Sequence, residues 1–477
     1  MTFIRRGWLH LASGAGLGRL FGFVGNLLLS RWLGPSDLGL FNLITTTVQT
    51  SDTLVRCGGD YALNYELGGL SEATKTKRGL HLIPAFVQLC TLTTFIVCLG
   101  VGIWCILGHA WNPYPILTSH WNISIYLLLI MIFCEGCASS AWEVLLVSRR
   151  TALLALRHGL FLPLRIVLAA IGAYFHGVLG AMWAWSLVAV VQCLWLRSVL
   201  KPIWNPFYIY PPLTTGIVSL LKRGIPFYVV NLLSSVIFYP LLLKVASSSG
   251  LVEVGYLKAG QILQQIFAFL PATLVPVLFL KLRSQSSFAD QVNVTEKPLR
   301  LIWLLMLELL LLYSMLEKPM ILGLFGSDYL FALLPTRLLL LTALFESLAQ
   351  LAVQPILASG NTRLYGTWQN VAAVFAAFLG WFWIPTAGLI AYLIVRLIYV
   401  LIPLIALGTP VIQNLNEPKK VLPLALSSLI FTFLTLTQAL SNNMFEWAPL
   451  VFIFLSIFTL SLYRDDLVIL IQAWDKR

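Results

Sequence analysis

Long apolar stretches, separated by short polar or charged turns, make up most of this 477-residue chain. Most stretches hold about 20 residues or more, which is enough for an α-helix to cross the hydrocarbon core of a bilayer. None alternates apolar and polar residues as a membrane β-strand does. The pattern predicts an all-α polytopic membrane protein with about fourteen transmembrane helices. The predicted spans are 9–32, 38–63, 80–108, 122–147, 152–175, 178–196, 217–243, 253–280, 299–324, 331–358, 364–383, 386–408, 420–440 and 447–463.

Composition excludes the soluble classes of protein. Hydrophobic residues account for 59% of the chain and charged residues for only 10%, whereas soluble domains carry about 25% charged residues. The seven cysteines all lie in apolar stretches. Cys134 and Cys137 form a CxxC within a helical stretch that offers no further ligands, so we expect packing residues rather than a metal site.

The basic residues of the connecting loops predict the orientation. Lys and Arg concentrate in every second loop, and the intervening loops hold only Arg31, Lys244 and Lys318. Cytoplasmic loops are enriched in these residues, so the bias places both termini in the cytoplasm and favours an even number of spans. The net charge of +12 is explained by this bias and by neighbouring anionic lipid headgroups. We therefore expect no nucleic-acid partner.

The chain contains an internal repeat. Residues 135–151 align without gaps with residues 346–362, and a glutamate, two alanines, a leucine, a serine and a threonine coincide. The same spacing carries Gly177 onto Gly388. Because each copy holds an even number of spans and starts on the same side, we predict two parallel six-helix repeats.

A second match, between Gly39 and Gly255, extends the repeat towards the start of each copy. The predicted domains are an N-lobe at 1–200, a cytoplasmic interlobe linker at 201–221, a C-lobe at 222–410, and spans 13 and 14 with a cytoplasmic tail at 411–477. Two lobes around a central cleft are typical of secondary transporters. Proline permits helix bending, and the seventh and eighth spans, the candidate moving elements, contain Pro226, Pro240, Pro271 and Pro276.

Three motifs resemble those of a known superfamily. The segment Leu33–Phe41, LGPSDLGLF, resembles its LGxxxxG signature, and residues 250–256 are the counterpart in the second repeat. Residues 358–362 resemble the turn that follows its tenth helix. On these residues the chain resembles the MOP (multidrug/oligosaccharidyl-lipid/polysaccharide) flippases, in particular the Wzx-type O-antigen and exopolysaccharide branch. Residues 19–23 and 54–56 are also similar to arginine-bearing elements of the lipid II flippases, although Gly25-Asn26 departs from their pattern.

The resemblance implies a function. Such a protein carries an undecaprenyl pyrophosphate-linked oligosaccharide from the cytoplasmic to the outer leaflet of the bacterial inner membrane by alternating access. The implied pathway is lipopolysaccharide or exopolysaccharide biosynthesis, with a polysaccharide polymerase and a chain-length regulator as expected partners. The resemblance implies no enzymatic activity and no cofactor, and it leaves H⁺ or Na⁺ coupling open.

Two alternatives remain open. A MATE-type antiporter of drugs or organic cations shares the fold, but its cavity is expected to be acidic, whereas Arg19 and Arg56 lie in the first two spans. A polytopic glycan polymerase or ligase would need a loop rich in acids or arginines. The longest loop, about 197–222, contains no carboxylate.

The substrate chemistry selects cationic candidates. A pyrophosphate crosses hydrocarbon only if buried cations replace its hydration, and the arginine fork binds phosphate oxygens in pairs. The first hairpin is therefore predicted to line a wet, cationic cavity. For Arg56 the opposing interpretation is neutralisation by Asp52 and Asp60, four residues away on either side. The substrate-binding candidates are Arg19, Arg56, Lys258, Arg165 and Arg396.

Carboxylates in the predicted spans are candidates for ion coupling. A desolvated carboxylate favours its protonated form and so can exchange a proton, or bind Na⁺, during a transport cycle. The simpler alternative is that these acids pair with Arg165 or Arg396 and lock helices together. The candidates are Asp52, Glu135, Glu308 and Glu346.

Overall fold

A computed structural model describes residues 2–68, 72–108, 121–148, 150–201, 214–283, 285, 287–415 and 421–441, together with 455, 456, 459 and 463. Its α-helices are α1 Thr2–Arg56, α2 Gly59–Gly68, α3 Glu72–Gly108, α4 Trp121–Val147, α5 Thr151–Leu156, α6 Leu162–Leu200, α7 Thr214–Ser249, α8 Leu251–Phe267, α9 Phe269–Leu282, α10 Phe288–Leu324, α11 Leu333–Ala358, α12 Thr362–Gln413 and α13 Leu422–Ser441. A π-helix, Arg157–Phe161, joins α5 to α6, and a 3-10 helix, Ser327–Ala332, precedes α11. The described residues form no strand, so the all-α prediction is confirmed.

Six helical stretches of the described residues are long and apolar enough to cross a membrane. Two of them, Ala152–Leu200 with 49 residues and Arg363–Gln413 with 51 residues, far exceed the roughly 20 residues that one crossing needs. The multi-pass prediction is confirmed, and the count of fourteen stays a prediction. The six stretches are Leu82–Cys105, Ile123–Val147, Ala152–Leu200, Phe288–Leu324, Ser327–Ala358 and Arg363–Gln413.

The longest helices are interrupted at glycines. Gly34 in α1 has φ 70° and ψ 175°, Gly177 in α6 has φ 59° and ψ −146°, and Gly388 in α12 has φ 56° and ψ −134°. Glycine adopts positive φ without the steric cost that other residues incur. The first two interruptions lie between predicted spans 1 and 2 and between spans 5 and 6, whereas Gly388 lies at the start of predicted span 12, three residues after the predicted turn at 384–385.

The interruption at Gly177 reverses the chain. A Cβ on Gly172 would lie 2.3 Å from the carbonyl oxygen of Gly180, and a Cβ on Gly180 would lie 2.0 Å from that of Gly172. In a straight helix, residues eight apart are separated by about 12 Å. The two halves of α6 therefore fold back on each other and pack backbone to backbone.

The element bounds follow the predicted repeat. Helices α3 and α10 both have 37 residues, and they are separated by the same spacing as Gly39 and Gly255. Gly34 and Gly250, which share that spacing, both have positive φ, 70° and 92°. The spacing between Gly177 and Gly388 is the same as that between Glu135 and Glu346. It also separates the start of α5 from the start of α12. The sequence repeat is thus a repeat of helix lengths and turns.

The chain forms two compact units, Met1–Gly255 and Tyr256–Arg477. Helix α7 and the first turn of α8 therefore group with the elements that precede them. Most of the predicted linker at 201–221, and most of the last span at 447–463, lie outside the described residues. The predicted lobe boundaries consequently stay a prediction.

In the first unit, α7 lies against the second half of α1 along a line of contacts that we name the α1–α7 seam. A Cβ on Gly58 would lie 2.4 Å from the carbonyl oxygen of Gly224. Midway along, the hydroxyls of Thr47 and Tyr239 lie 2.7 Å apart. At the other end, a Cβ on Gly39 would lie 1.9 Å from the carbonyl oxygen of Leu251. Only glycine permits backbones to approach so closely at the two ends of this seam.

In the second unit, the predicted eighth span is two helices rather than one. Helix α8 ends at Phe267, Ala268 forms a turn, and α9 begins at Phe269. Pro271 has no N–H to donate to the carbonyl of Phe267, and its ring clashes with that carbonyl. This proline therefore ends the α8 hydrogen-bond ladder within the predicted span.

Candidate functional site

Arg56 lies at the centre of a carboxylate cluster in the first unit, which we name the Arg56 network. Its guanidinium pairs with Asp52, and its Nη1 lies 3.8 Å from Asp60 Oδ2 and 3.8 Å from Glu143 Oε1. Asn64 Nδ2 donates a hydrogen bond of 3.1 Å to Glu143 Oε2. The structure thus places Arg56 and Asp52 as the neutralising interpretation of the sequence expects. Glu143 is a further partner that sequence reasoning missed.

Arg165 and Glu135 form a second charged pair in the same unit, between α6 and α4. The side chain of Arg165 is 5% exposed and that of Glu135 is 16% exposed. Arg165 Nη2 also donates to Gln192 Oε1 at 2.8 Å, and its guanidinium lies 5.0 Å from the centre of the Trp185 ring. A helix-to-helix lock is therefore the arrangement found for these two candidates.

Arg157 is a third arginine of the first unit and was not singled out from the sequence. It begins the π-helix, and its guanidinium lies 5.9 Å from the centre of the Trp142 ring. It forms no ion pair within 4.0 Å in the part of the chain that the structure describes. Pro163 follows near the start of α6, and proline is a usual cause of such a local widening. Pro163 is the feature of the sequence that could have indicated the π-helix and so drawn attention to Arg157.

The charges of this region nearly balance. The carboxylates of Asp52, Asp60, Glu135 and Glu143 outnumber by one the guanidiniums of Arg56, Arg157 and Arg165. Buried charges are retained in proteins when they are paired in this manner. The second half of α1 therefore contributes to a compensated network rather than to a surplus of positive charge.

Arg19 differs from these residues because its side chain is exposed. It lies on the first half of α1, next to two glycines that face α6. A Cβ on Gly22 would lie 3.5 Å from Ile166 Cδ1, and a Cβ on Gly25 would lie 2.9 Å from Ile166 Cγ2. This half of α1 is thus held closely against α6, with Arg19 at the margin of the contact.

The second unit contains the remaining candidates. Lys258 on α8 is half-buried and forms no ion pair with described residues, and Arg396 on α12 bonds to the hydroxyl of Tyr392 one turn earlier. Glu346 on α11 is half-buried and makes no hydrogen bond or ion pair with the described residues. Glu346 is the repeat equivalent of Glu135, which pairs with Arg165. Glu346 has no such arginine partner among the described residues because the residue equivalent to Arg165 is Ala376.

Two further contacts of the second unit involve α10. Arg337 of α11, which is 4% exposed, donates from Nε to Glu317 Oε2 at 3.0 Å and forms a second bond to Oε1. Sequence reasoning missed this pair, and its only signal was a charge in each apolar stretch. Glu308 accepts hydrogen bonds from Ser456 and Thr459 of the last predicted span.

The chain is a helical multi-pass membrane protein with two copies of one helix pattern, and internal repeats of this kind are common among the folds of secondary transporters. No protein-family model and no curated protein sequence matches the chain. Solved structures do match. A lipid II flippase, MurJ, in an inward closed conformation is similar with a TM-score of 0.72 at 15% identity, over 95% of this chain and 99% of that chain.

Transporters of the same superfamily match over less of the chain. An outward-facing multidrug resistance MATE transporter has a TM-score of 0.55 at 17% identity, over 86% of this chain and 96% of its own. A MOP superfamily transporter from Pyrococcus furiosus has a TM-score of 0.52 at 16% identity, over 85% and 95%. At these identities the likeness concerns the fold. The predicted MOP resemblance is confirmed at that level, and the Wzx branch stays a prediction.

Proposed function

We propose that the protein is a flippase that moves an undecaprenyl pyrophosphate-linked oligosaccharide from the cytoplasmic to the outer leaflet of a bacterial inner membrane. The observation that carries the proposal is the extent of the flippase match, 95% of this chain, against 86% for the MATE transporter. The unmatched 14% has the size of residues 411–477, the two spans and tail predicted to lie outside the repeat.

The contacts of the basic residues support two different roles, helix packing and substrate binding. Arg56 and Arg165 are held by carboxylates, so they are assigned to helix packing. Arg19 is exposed, and Lys258 forms no ion pair among the described residues. We assign the pyrophosphate contacts to Arg19, whose guanidinium is exposed, and to Lys258, because both side chains are cations that can bind phosphate oxygens.

The α1–α7 seam supports alternating access. Its contacts include glycine backbones at both ends, the hydroxyl pair of Thr47 and Tyr239, and a hydrogen bond of 3.2 Å from the Tyr228 hydroxyl to the carbonyl of Leu54. A hydrogen bond between neutral groups contributes only about 0.5–1.5 kcal/mol. A closure of this kind separates at lower cost than one held by buried ion pairs, which suits two helices that must part in each transport cycle.

The test is a flipping assay in proteoliposomes with a polyprenyl pyrophosphate-linked oligosaccharide, in which a membrane-impermeant glycosidase reports the exposed leaflet. The native protein is expected to move the lipid. Arg19→Ala is expected to slow flipping by about tenfold or more, the effect of losing a charge-assisted hydrogen bond. Arg19→Lys is expected to retain part of the rate, because lysine keeps the charge but loses the fork.

Arg150→Ala is the matched control, since Arg150 is also an exposed arginine but lies just before α5; it should leave the rate unchanged. A native rate in Arg19→Ala at normal protein level would remove Arg19 from the mechanism. A native protein that moves no polyprenyl-linked glycan would overturn the flippase proposal itself.

The Arg56 network favours a second candidate, a cation antiporter of the MATE type. Three carboxylates surround one arginine there, and such an acidic site would attract an organic cation. Uptake of a fluorescent cation into the same proteoliposomes, driven by an imposed H⁺ or Na⁺ gradient, tests this candidate. Cation uptake together with absent glycan flipping would favour the antiporter.

A further inference from the structure

The contact between Glu308 and the C-terminal segment has a chemistry that packing does not explain. Glu308 lies in the middle of α10, within an apolar run of leucines and methionine, and is half-buried. Residues 455, 456 and 459 have helical backbone. Ser456 and Thr459, three residues apart and so on one helix face, bond to Oε2 and Oε1 of the same carboxyl group.

No described cation compensates this carboxyl group. The helices packed against α10 are α9, α11, α13 and the 3-10 helix, and α13 contains no titratable side chain at all. Arg337 of α11 is engaged by Glu317. The described basic residues of α10 and these neighbours form no ion pair with Glu308; they are Lys281, Lys297, Arg300, Lys318 and Arg337. The described acids of the same helices are Asp290, Glu296, Glu317, Asp328 and Glu346.

The hydrogens of the contact can be counted. The Thr459 hydroxyl has one hydrogen but lies near three acceptors, because Oγ1 is also 2.9 Å from the carbonyl oxygen of Leu455 and 3.1 Å from that of Ser456. If Thr459 donates to Leu455, its contact with Glu308 needs a hydrogen from the carboxyl group. A protonated Glu308 supplies that hydrogen and removes an uncompensated charge from an apolar setting.

A metal ion fits this contact less well than a proton. Both carboxyl oxygens of Glu308 are already bonded to hydroxyl groups, those of Ser456 and Thr459. Metal sites also need more ligands, about six oxygens for the hard cations. The described residues contain no group of three or more His, Cys, Asp or Glu side chains that would complete one.

We propose that Glu308, Ser456 and Thr459 form a proton-binding site between α10 and the last predicted span. A proton from solvent forms the O–H bond of the Glu308 carboxyl group, which donates to Thr459, and Thr459 donates to the carbonyl of Leu455. Loss of that proton leaves a carboxylate in an apolar setting, and the Thr459 hydroxyl then donates to Glu308 instead of to the carbonyl of Leu455. Only its use as the coupling ion of transport rests on the proposed function.

Infrared difference spectroscopy of the lipid-reconstituted protein, titrated with pH, tests the site without any glycan. The stretching band of a protonated carboxyl group is expected at neutral pH and should be lost at alkaline pH. Glu308→Gln should remove this band. Glu296→Gln, which removes a glutamate of the same helix that pairs with Arg300, is the matched control and should leave the band in place.

Thr459→Val and Ser456→Ala retain Glu308, so they test the proposal even if Glu308→Gln does not fold. Each removes one hydroxyl partner, so the band should shift to higher frequency as the carboxyl group loses a hydrogen bond. An unshifted band in both variants would overturn the proposal. So would identical spectra of the native protein and Glu308→Gln at every pH, because Glu308 would then be ionised throughout.

Discussion

At the scale of single residues, the interior charges show which partners a sequence can reveal. The pairing of Arg56 with Asp52 follows from helix geometry alone, since residues four apart face the same side. The pairing of Arg165 with Glu135, and that of Arg337 with Glu317, depends on how separate helices rotate against each other. The sequence identifies these charges as unusual but contains no local signal for the choice of partner.

The buried pair of Arg165 and Glu135 gives a prediction at this scale. Arg165→Ala should strand the Glu135 carboxylate and destabilise the protein by about 3–5 kcal/mol. The double variant Arg165→Met with Glu135→Leu should recover most of that loss, because apolar residues of similar volume often replace a buried ion pair at little cost. Thermal unfolding in detergent and protein level in the membrane measure both effects. A double variant as unstable as Arg165→Ala would contradict the pairing.

At the scale of elements, the apolar pattern predicts the helices well and their interruptions less well. The turns between spans 1 and 2 and between spans 5 and 6 occur where the pattern places them, at Gly34 and Gly177, whereas the break at Gly388 lies three residues beyond the predicted turn. The break between α8 and α9 is not visible in hydrophobicity, because residues 267–270 are all apolar. Only the backbone chemistry of Pro271 indicates it.

The ends of the α1–α7 seam give a prediction at this scale. Gly39→Ala and Gly255→Ala each place a methyl group 1.9 Å from a carbonyl oxygen, of Leu251 and Pro35 respectively. The backbones must move apart, and we expect a loss of about 1–3 kcal/mol, as in other overpacked sites. Thermal unfolding of the purified variants measures it.

Gly100→Ala serves as the comparison for these two variants. A Cβ at Gly100 on α3 meets no atom within 4 Å, and alanine is a better helix former than glycine by about 1 kcal/mol. Gly100→Ala should therefore be neutral or stabilising. Equal destabilisation of all three variants would show that the seam contacts have no special part in stability.

At the scale of the whole molecule, the fold class could be predicted from the sequence, but the grouping of the helices could not. Apolar lengths determine that helices cross the membrane, and the repeat determines that α3 and α10 have equal lengths. Helix α7 groups with the first unit because it packs against α1, α2 and α3. Such contacts involve residues far apart in the chain, which hydrophobic periodicity does not relate.

The loop charges predict the orientation of the molecule. Lys318 is exposed near the end of α10 and Lys222 is exposed near the start of α7. A membrane-impermeant maleimide applied to intact cells should label Lys318→Cys, and it should label Lys222→Cys only after permeabilisation. Labelling of Lys222→Cys from outside would reverse the predicted topology.

The contact between Gly39 and Leu251, and that between Gly255 and Pro35, also concern the ancestry of the chain. Gly39 and Gly255 are equivalent positions of the two repeats, and so are Pro35 and Leu251. Each glycine therefore meets the equivalent of the other's partner, as happens in an isologous interface between two identical subunits. A half-length ancestor that paired with itself would have formed this contact twice with one set of residues. Fusion into a single chain then freed the two sides to diverge, so that proline now stands on one and leucine on the other.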